Sequence, residues 1–130
     1  MIAHLEGRIL ELAPGEVVVE SAGVGYEVRV PLSAQRVLAE GERARLFIHT
    51  HVREDILALY GFPTRAERDA FRLLLGVAGI GPRMGLALLS GLTVDELAAA
   101  VAEERWQRLA TVPGIGRRTA ERLAEAAGTS

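Results

Sequence analysis

The sequence predicts an α+β protein of two domains. A small β-barrel, with the OB-fold as leading candidate, is expected over residues 1–63, and an all-helical domain over residues 64–130. Three observations carry this. Short β-branched runs separated by glycine turns fill the first half. At Pro63 the pattern changes to helical periodicity opened by capping signals. One glycine-containing phrase then occurs twice, as "AGIGPRMGLALL" and "PGIGRRTAERLA".

Taken in order, "EVVVES" and "VGYEVRV" read as strands joined at "AG", with Gly23-Val24-Gly25 marking a hairpin turn. "LSAQRVLAEG" reads as one short helix. "ARLFIHTHV" (Ala44 to Val52) is a long strand, and "DILALYGF" follows after "RE". Five strands and one small helix in so short a stretch suit a small barrel. Beyond Pro63, Thr64 and Glu67 have capping-box spacing, and Ala66, Ala70, Phe71, Leu74 and Leu75 make one apolar helical face. Thr93 and Glu96 repeat the capping signal ahead of "LAAAVAE". "RWQRLATV" and "RRTAERLAEAA" complete an all-helical half.

Composition excludes several function classes. The chain has 130 residues, 49% of them hydrophobic, and a formal net charge of −2. That balance argues against coating nucleic acid by bulk positive charge, so any such contact is local. The barrel half carries six arginines against nine acids, and the helical half nine against eight. There is no cysteine, hence no disulfide and no thiolate metal site. All fifteen basic residues are arginine. The missing lysine excludes a Schiff-base nucleophile and a P-loop. No segment has transmembrane length and the start has no signal-peptide pattern, so a cytoplasmic protein without a membrane role is expected.

The repeated phrase has a physical reading. Gly79 falls on Gly114, Ile80 on Ile115, Gly81 on Gly116, Arg83 on Arg118 and Leu88 on Leu123, a shift of 35 residues. Each copy has helix before and after it. Glycines permit φ > 0 and leave no Cβ in the way. The isoleucine between them anchors the loop. The N–H groups of the loop and of the next helical turn then point outward, where they attract anions. Pro82 suits a first helical turn, and Arg83, Arg117 and Arg118 lie within reach of a phosphate. These are the features of the helix-hairpin-helix motif, which grips DNA backbone without reading sequence. The predicted DNA-contact set is Gly79, Ile80, Gly81, Pro82, Arg83, Gly114, Ile115, Gly116, Arg117, Arg118 and Thr119.

With a barrel in front and tandem hairpins behind, the chain resembles the RuvA family, the Holliday-junction-binding subunits of the bacterial branch-migration machine. The likeness covers essentially all of the chain and rests on "GVGYEV" (Gly23 to Val28), "VREDILALYGF" (Val52 to Phe62), "GIGPRMGLALLSG" (Gly79 to Gly91) and "PGIGRRTAERL" (Pro113 to Leu123). It implies structure-specific binding of four-way junctions in recombination and repair, without cofactor. It implies a homotetramer, two of which can sandwich a junction as an octamer. Its partners would be the RuvB motor ATPase, docked by a small third domain, and the RuvC resolvase. That third domain is expected to be absent from this chain through truncation or proteolysis. Arg53-Glu54-Asp55 by itself reads as a solvated turn; the resemblance makes Glu54 and Asp55 an acidic pin at the junction centre.

Other candidates weigh less. His49 and His51 have the spacing of a one-face strand pair, with His4 as a conceivable third metal ligand, but a polar strand face is the better reading and no metal is expected. Trp106 and Tyr60 have rings that could stack on bases, but a lone tryptophan among helices reads as core. The enzyme alternative is a helix-hairpin-helix repair glycosylase or nuclease. A lyase-type glycosylase needs a lysine, and Asp55, Asp69 and Asp95 all lie upstream of Gly114. No catalytic residue is predicted, and the chain by itself is read as non-enzymatic.

Overall fold

The computed structural model describes residues 1–128. They fold as two compact units that divide between Arg68 and Asp69. The first is a closed five-stranded barrel in the order β1-β2-β3-β5-β4. Its strands are β1 (His4–Ala13), β2 (Glu16–Ser21), β3 (Val24–Arg29), β4 (Arg43–Arg53) and β5 (Ile56–Phe62). All pairings are antiparallel except β3 with β5, which closes the barrel at Val28↔Leu59 and Arg29↔Tyr60.

Alternation fills the barrel. Leu5 and Ile9, Val17 and Val19, Val28 and Val30, and Leu46 and Ile48 turn inward and are buried, as period-two side chains on half-buried strands must. The β1–β2 register slips between Ile9 and Glu11, and Leu10 at that bulge is exposed. At Gly7 the strands approach so closely that a Cβ would sit 2.0 Å from the Glu20 carbonyl oxygen.

Two expectations need correction here. The β2–β3 turn is made by Ala22 (φ 51°) and Gly23 (φ 82°), while Val24 and Gly25 already belong to β3. Two successive positive φ values match the twist of a two-residue hairpin. The helix expected over "LSAQRVLAEG" is a single turn, α1 (Leu32–Gln35). Its continuation is recruited by β1 instead: Gly41 N–H donates to the Ile9 carbonyl at 2.8 Å and Ile9 N–H to the Glu42 carbonyl at 2.9 Å. Ala34 and Leu38 still reach the barrel core.

The remaining helices are α2 (Arg65–Leu75), α3 (Pro82–Gly91), α4 (Val94–Ala102), α5 (Trp106–Ala110) and α6 (Arg117–Gly128). The first turn of α2 goes with the barrel. Arg65 and Arg68 hold their guanidinium groups 5.6 and 5.7 Å from the Phe47 ring centroid, and Arg68 donates to the Ala3 carbonyl at 3.2 Å. Ala66 on that turn is therefore exposed, contrary to its predicted place on the apolar face, whereas Phe71 and Leu74 are buried. Thr64 accepts from Glu67 N–H at 3.2 Å and its hydroxyl donates to the Glu67 carboxylate at 2.9 Å. Thr93 and Glu96 form the full reciprocal box at α4. Phe71, Leu88, Leu109 and Leu123 anchor the core of the helical unit. No single helix among the described residues is long and apolar enough to cross a membrane.

Candidate nucleic-acid interface

Both copies of the repeated phrase fold as the same backbone. In the first, Val77 N–H donates to Leu74 O at 3.0 Å, Ile80 N–H to Val77 O at 3.1 Å and Gly85 N–H to Gly81 O at 3.0 Å. In the second, Val112 N–H donates to Leu109 O at 3.2 Å, Ile115 N–H to Val112 O at 3.0 Å and Ala120 N–H to Gly116 O at 3.0 Å. Every one of these partners is related by the 35-residue shift. Gly79 and Gly114 carry φ of 85° and 90°, a left-handed conformation that costs any L side chain strain. Ile80 and Ile115 are 6% and 5% exposed and pin each loop to its core.

The outer glycines face open space. A Cβ built on Gly81 or Gly116 meets nothing within 4 Å, and neither residue has a positive φ. Gly81 caps α3 with extended backbone, and Pro82 occupies the first turn. The leading N–H groups of α3 and α6 have no intrahelical acceptor by the geometry of any helix start, so each hairpin offers donors and a positive dipole end to an anion.

The side chains divide. Arg83 and Arg118, equivalent under the repeat, are exposed and make no ion pair with a described residue. Thr119 is half-buried on the first turn of α6. Arg117 is engaged: its Nε donates to Glu121 Oε1 at 2.6 Å and its guanidinium lies 4.6 Å from the Trp106 centroid. Trp106 is half-buried rather than a core residue, and its ring face carries the Arg117 cation. Tyr60 is buried. Sequence reasoning missed Arg122, whose Nη1 stands over the first hairpin, 2.8 Å from where a Gly79 Cβ would be. Its only signal was the four-residue step from Arg118 along one helical face.

In the barrel unit, Glu54 (φ 46°) and Asp55 form the exposed tip of the β4–β5 hairpin. The ladder beneath them runs unbroken from Phe47↔Phe62 to Arg53↔Ile56, so the two carboxylates sit at the end of a fully paired hairpin. Val52, Ile56 and Leu57 beside them are exposed apolar residues. The histidines are split between partners: His4 packs edge-on against Phe47, with ring centroids 5.5 Å apart, while His51 lies 6.0 Å from His49 and 6.2 Å from Tyr60. Among the described residues no three His, Cys, Asp or Glu side chains are grouped to hold a metal.

Comparison with known proteins matches this geometry. Residues 1–61 match the model of the RuvA N-terminal domain, and residues 71–129 that of the SAM-like helix-hairpin-helix tandem. Over 95% of its length the chain is 54% identical to the Holliday junction branch migration complex subunit RuvA of Halorhodospira halophila and 52% identical to that of Chromobacterium violaceum. The corresponding protein of Geobacter sulfurreducens is 47% identical over the same share. The chain spans 61%, 63% and 62% of these three relatives. The chain thus carries a RuvA N-terminal domain followed by a helix-hairpin-helix tandem, and is about half identical, over 95% of its length, to proteins named as RuvA subunits.

Proposed function

We propose that this chain binds four-way DNA junctions by shape rather than sequence and holds them open for branch migration driven by a partner ATPase, RuvB. The observation that carries the reading is the doubled hairpin: two loops with one backbone, each with a left-handed glycine, a buried isoleucine and an open outer glycine. Main-chain donors recognise phosphates, which are alike at every step, and leave the bases unread. A junction that migrates changes its sequence continually, so a sequence-blind grip is what such a task requires.

In this reading Gly79, Ile80, Gly81 and Pro82, and Gly114, Ile115, Gly116 and Thr119, build the two phosphate cradles. Arg83 and Arg118 supply the free charges, and Arg122 joins them. Glu54 and Asp55 stand at the crossover, where strands part and leave room for carboxylates. The assembly is a homotetramer, able to double on DNA, because a closed cyclic ring matches four repeated arms. RuvC is a further partner, and the cytoplasm, where the DNA is, is the site of action. The chain contributes binding, and the motor activity belongs to RuvB.

The test is a gel-shift titration of a four-way junction against linear duplex of the same sequence, with light scattering on the same sample. Junction binding well above duplex binding is expected, with a mass four or eight times 14.0 kDa. Equal affinity for both DNAs refutes the structure-specific reading. A strictly monomeric protein that keeps full junction selectivity refutes the ring.

A further inference from the structure

The two hairpins share a backbone but pack their aromatic residues differently. The repeat brings Phe71 onto Trp106 and Gly85 onto Ala120. Phe71 is fully buried, and a Cβ on Gly85 would lie 2.8 Å from its Cε1. The ring therefore fills the space that a side chain at position 85 would need. Ala120 has that Cβ and is itself fully buried. The indole of Trp106 is only half-buried, and its face is taken by Arg117 at 4.6 Å. The same guanidinium group pairs with Glu121, one turn along α6. The first hairpin has Pro82 at the equivalent position and no cation there to hold.

We propose that Trp106 and Glu121 form a latch on Arg117 that keeps this arginine off the DNA until a backbone phosphate displaces the Glu121 carboxylate. The inference rests on the junction-binding reading above. A carboxylate and a phosphate compete for the same guanidinium fork. The indole face holds the group beside the hairpin while that exchange takes place. The Arg117 side chain is 73% exposed in the docked pose, so a phosphate has access to it. The second hairpin thus starts with its extra cation occupied, and Glu121 sets how readily it engages.

The experiment uses Glu121→Gln, with Glu125→Gln as control: the same charge change one turn further along α6. Each is made alone and with Arg117→Ala. Junction affinity is read by fluorescence anisotropy, and Trp106, the single tryptophan, reports the latch in DNA-free protein through its emission. Glu121→Gln is expected to tighten junction binding about two- to fivefold beyond the control, the effect that corresponds to losing an exposed ion pair. That gain vanishes when Arg117→Ala is present. Trp106 emission shifts with Glu121→Gln and stays unchanged with Glu125→Gln. A Glu121→Gln affinity equal to the control, a gain that persists without Arg117, or an emission indifferent to Glu121 overturns the latch alone. A wild-type protein with no affinity for four-way DNA overturns both the latch and the function it rests on.

Discussion

Gly116→Ala separates the hairpin's fold from its binding. Nothing lies within 4 Å of a Cβ built at Gly116, and its φ is not in the left-handed region. The added methyl therefore strains nothing inside the protein. Removing a glycine also lowers the entropy of the unfolded chain, by about 0.4–1 kcal/mol, while alanine at a helix N-cap is roughly 0.5–1 kcal/mol worse than glycine. These terms nearly cancel, so the melting temperature should stay within about 2–4 °C of wild type. Binding is another matter. A phosphate oxygen held by a main-chain N–H lies at about 2.7–2.9 Å, whereas a methyl carbon needs about 3.5 Å from its neighbours. The methyl displaces the phosphate and forfeits a hydrogen bond to a charged group, worth about 1.5–3 kcal/mol. The affinity for a four-way junction should then fall by roughly ten- to a hundredfold. Anisotropy titration at fixed salt and thermal melting by circular dichroism give the two readings. Gly114→Ala, at φ 90°, is the contrast, since it should lose stability as well as binding. A folded Gly116→Ala protein with wild-type affinity would refute the main-chain cradle.

Three further outcomes follow from the same geometry. Arg118→Ala removes one free cation, so the slope of log affinity against log salt should become shallower by about one unit, with the hairpin fold intact. Glu54→Gln with Asp55→Asn should raise duplex affinity more than junction affinity, most visibly at low salt, where the Debye length exceeds about 10 Å; an unchanged ratio across salt would make the pair an ordinary turn. The Thr93 backbone N–H, then its hydroxyl, and Arg108 after them hold the Glu96 carboxyl below its ordinary range. A depressed folded-state pKa gives stability that is present above the unfolded value and is lost as pH falls through the folded one. Thr93→Ala should therefore lower the melting temperature at neutral pH, and the gap from wild type should narrow on acidification.

The parts of this chain legible in its sequence are those where one local rule decides. Alternation set the barrel faces, and Leu46 and Ile48 point inward because a period of two leaves no other choice. The repeat exposed both hairpins, since Gly79 and Gly114 must adopt a conformation that other residues resist. Where a distant strand competes with local propensity, sequence reasoning overreached. The turn after Gln35 has helical composition, but Ile9 supplied both backbone partners that Gly41 and Glu42 needed. Side-chain capture was harder still to foresee. Arg117 and Arg118 are adjacent in sequence and look interchangeable as phosphate ligands, yet Arg117 is stacked and paired while Arg118 makes no ion pair with a described residue. The repeat also sets Ala120 against Gly85 and the half-buried Trp106 against the fully buried Phe71. Phe71 fills the space beside Gly85, whereas the half-buried Trp106 carries Arg117 on its ring face, and Pro82 leaves the first hairpin without that cation, so two hairpins with the same backbone present different charges.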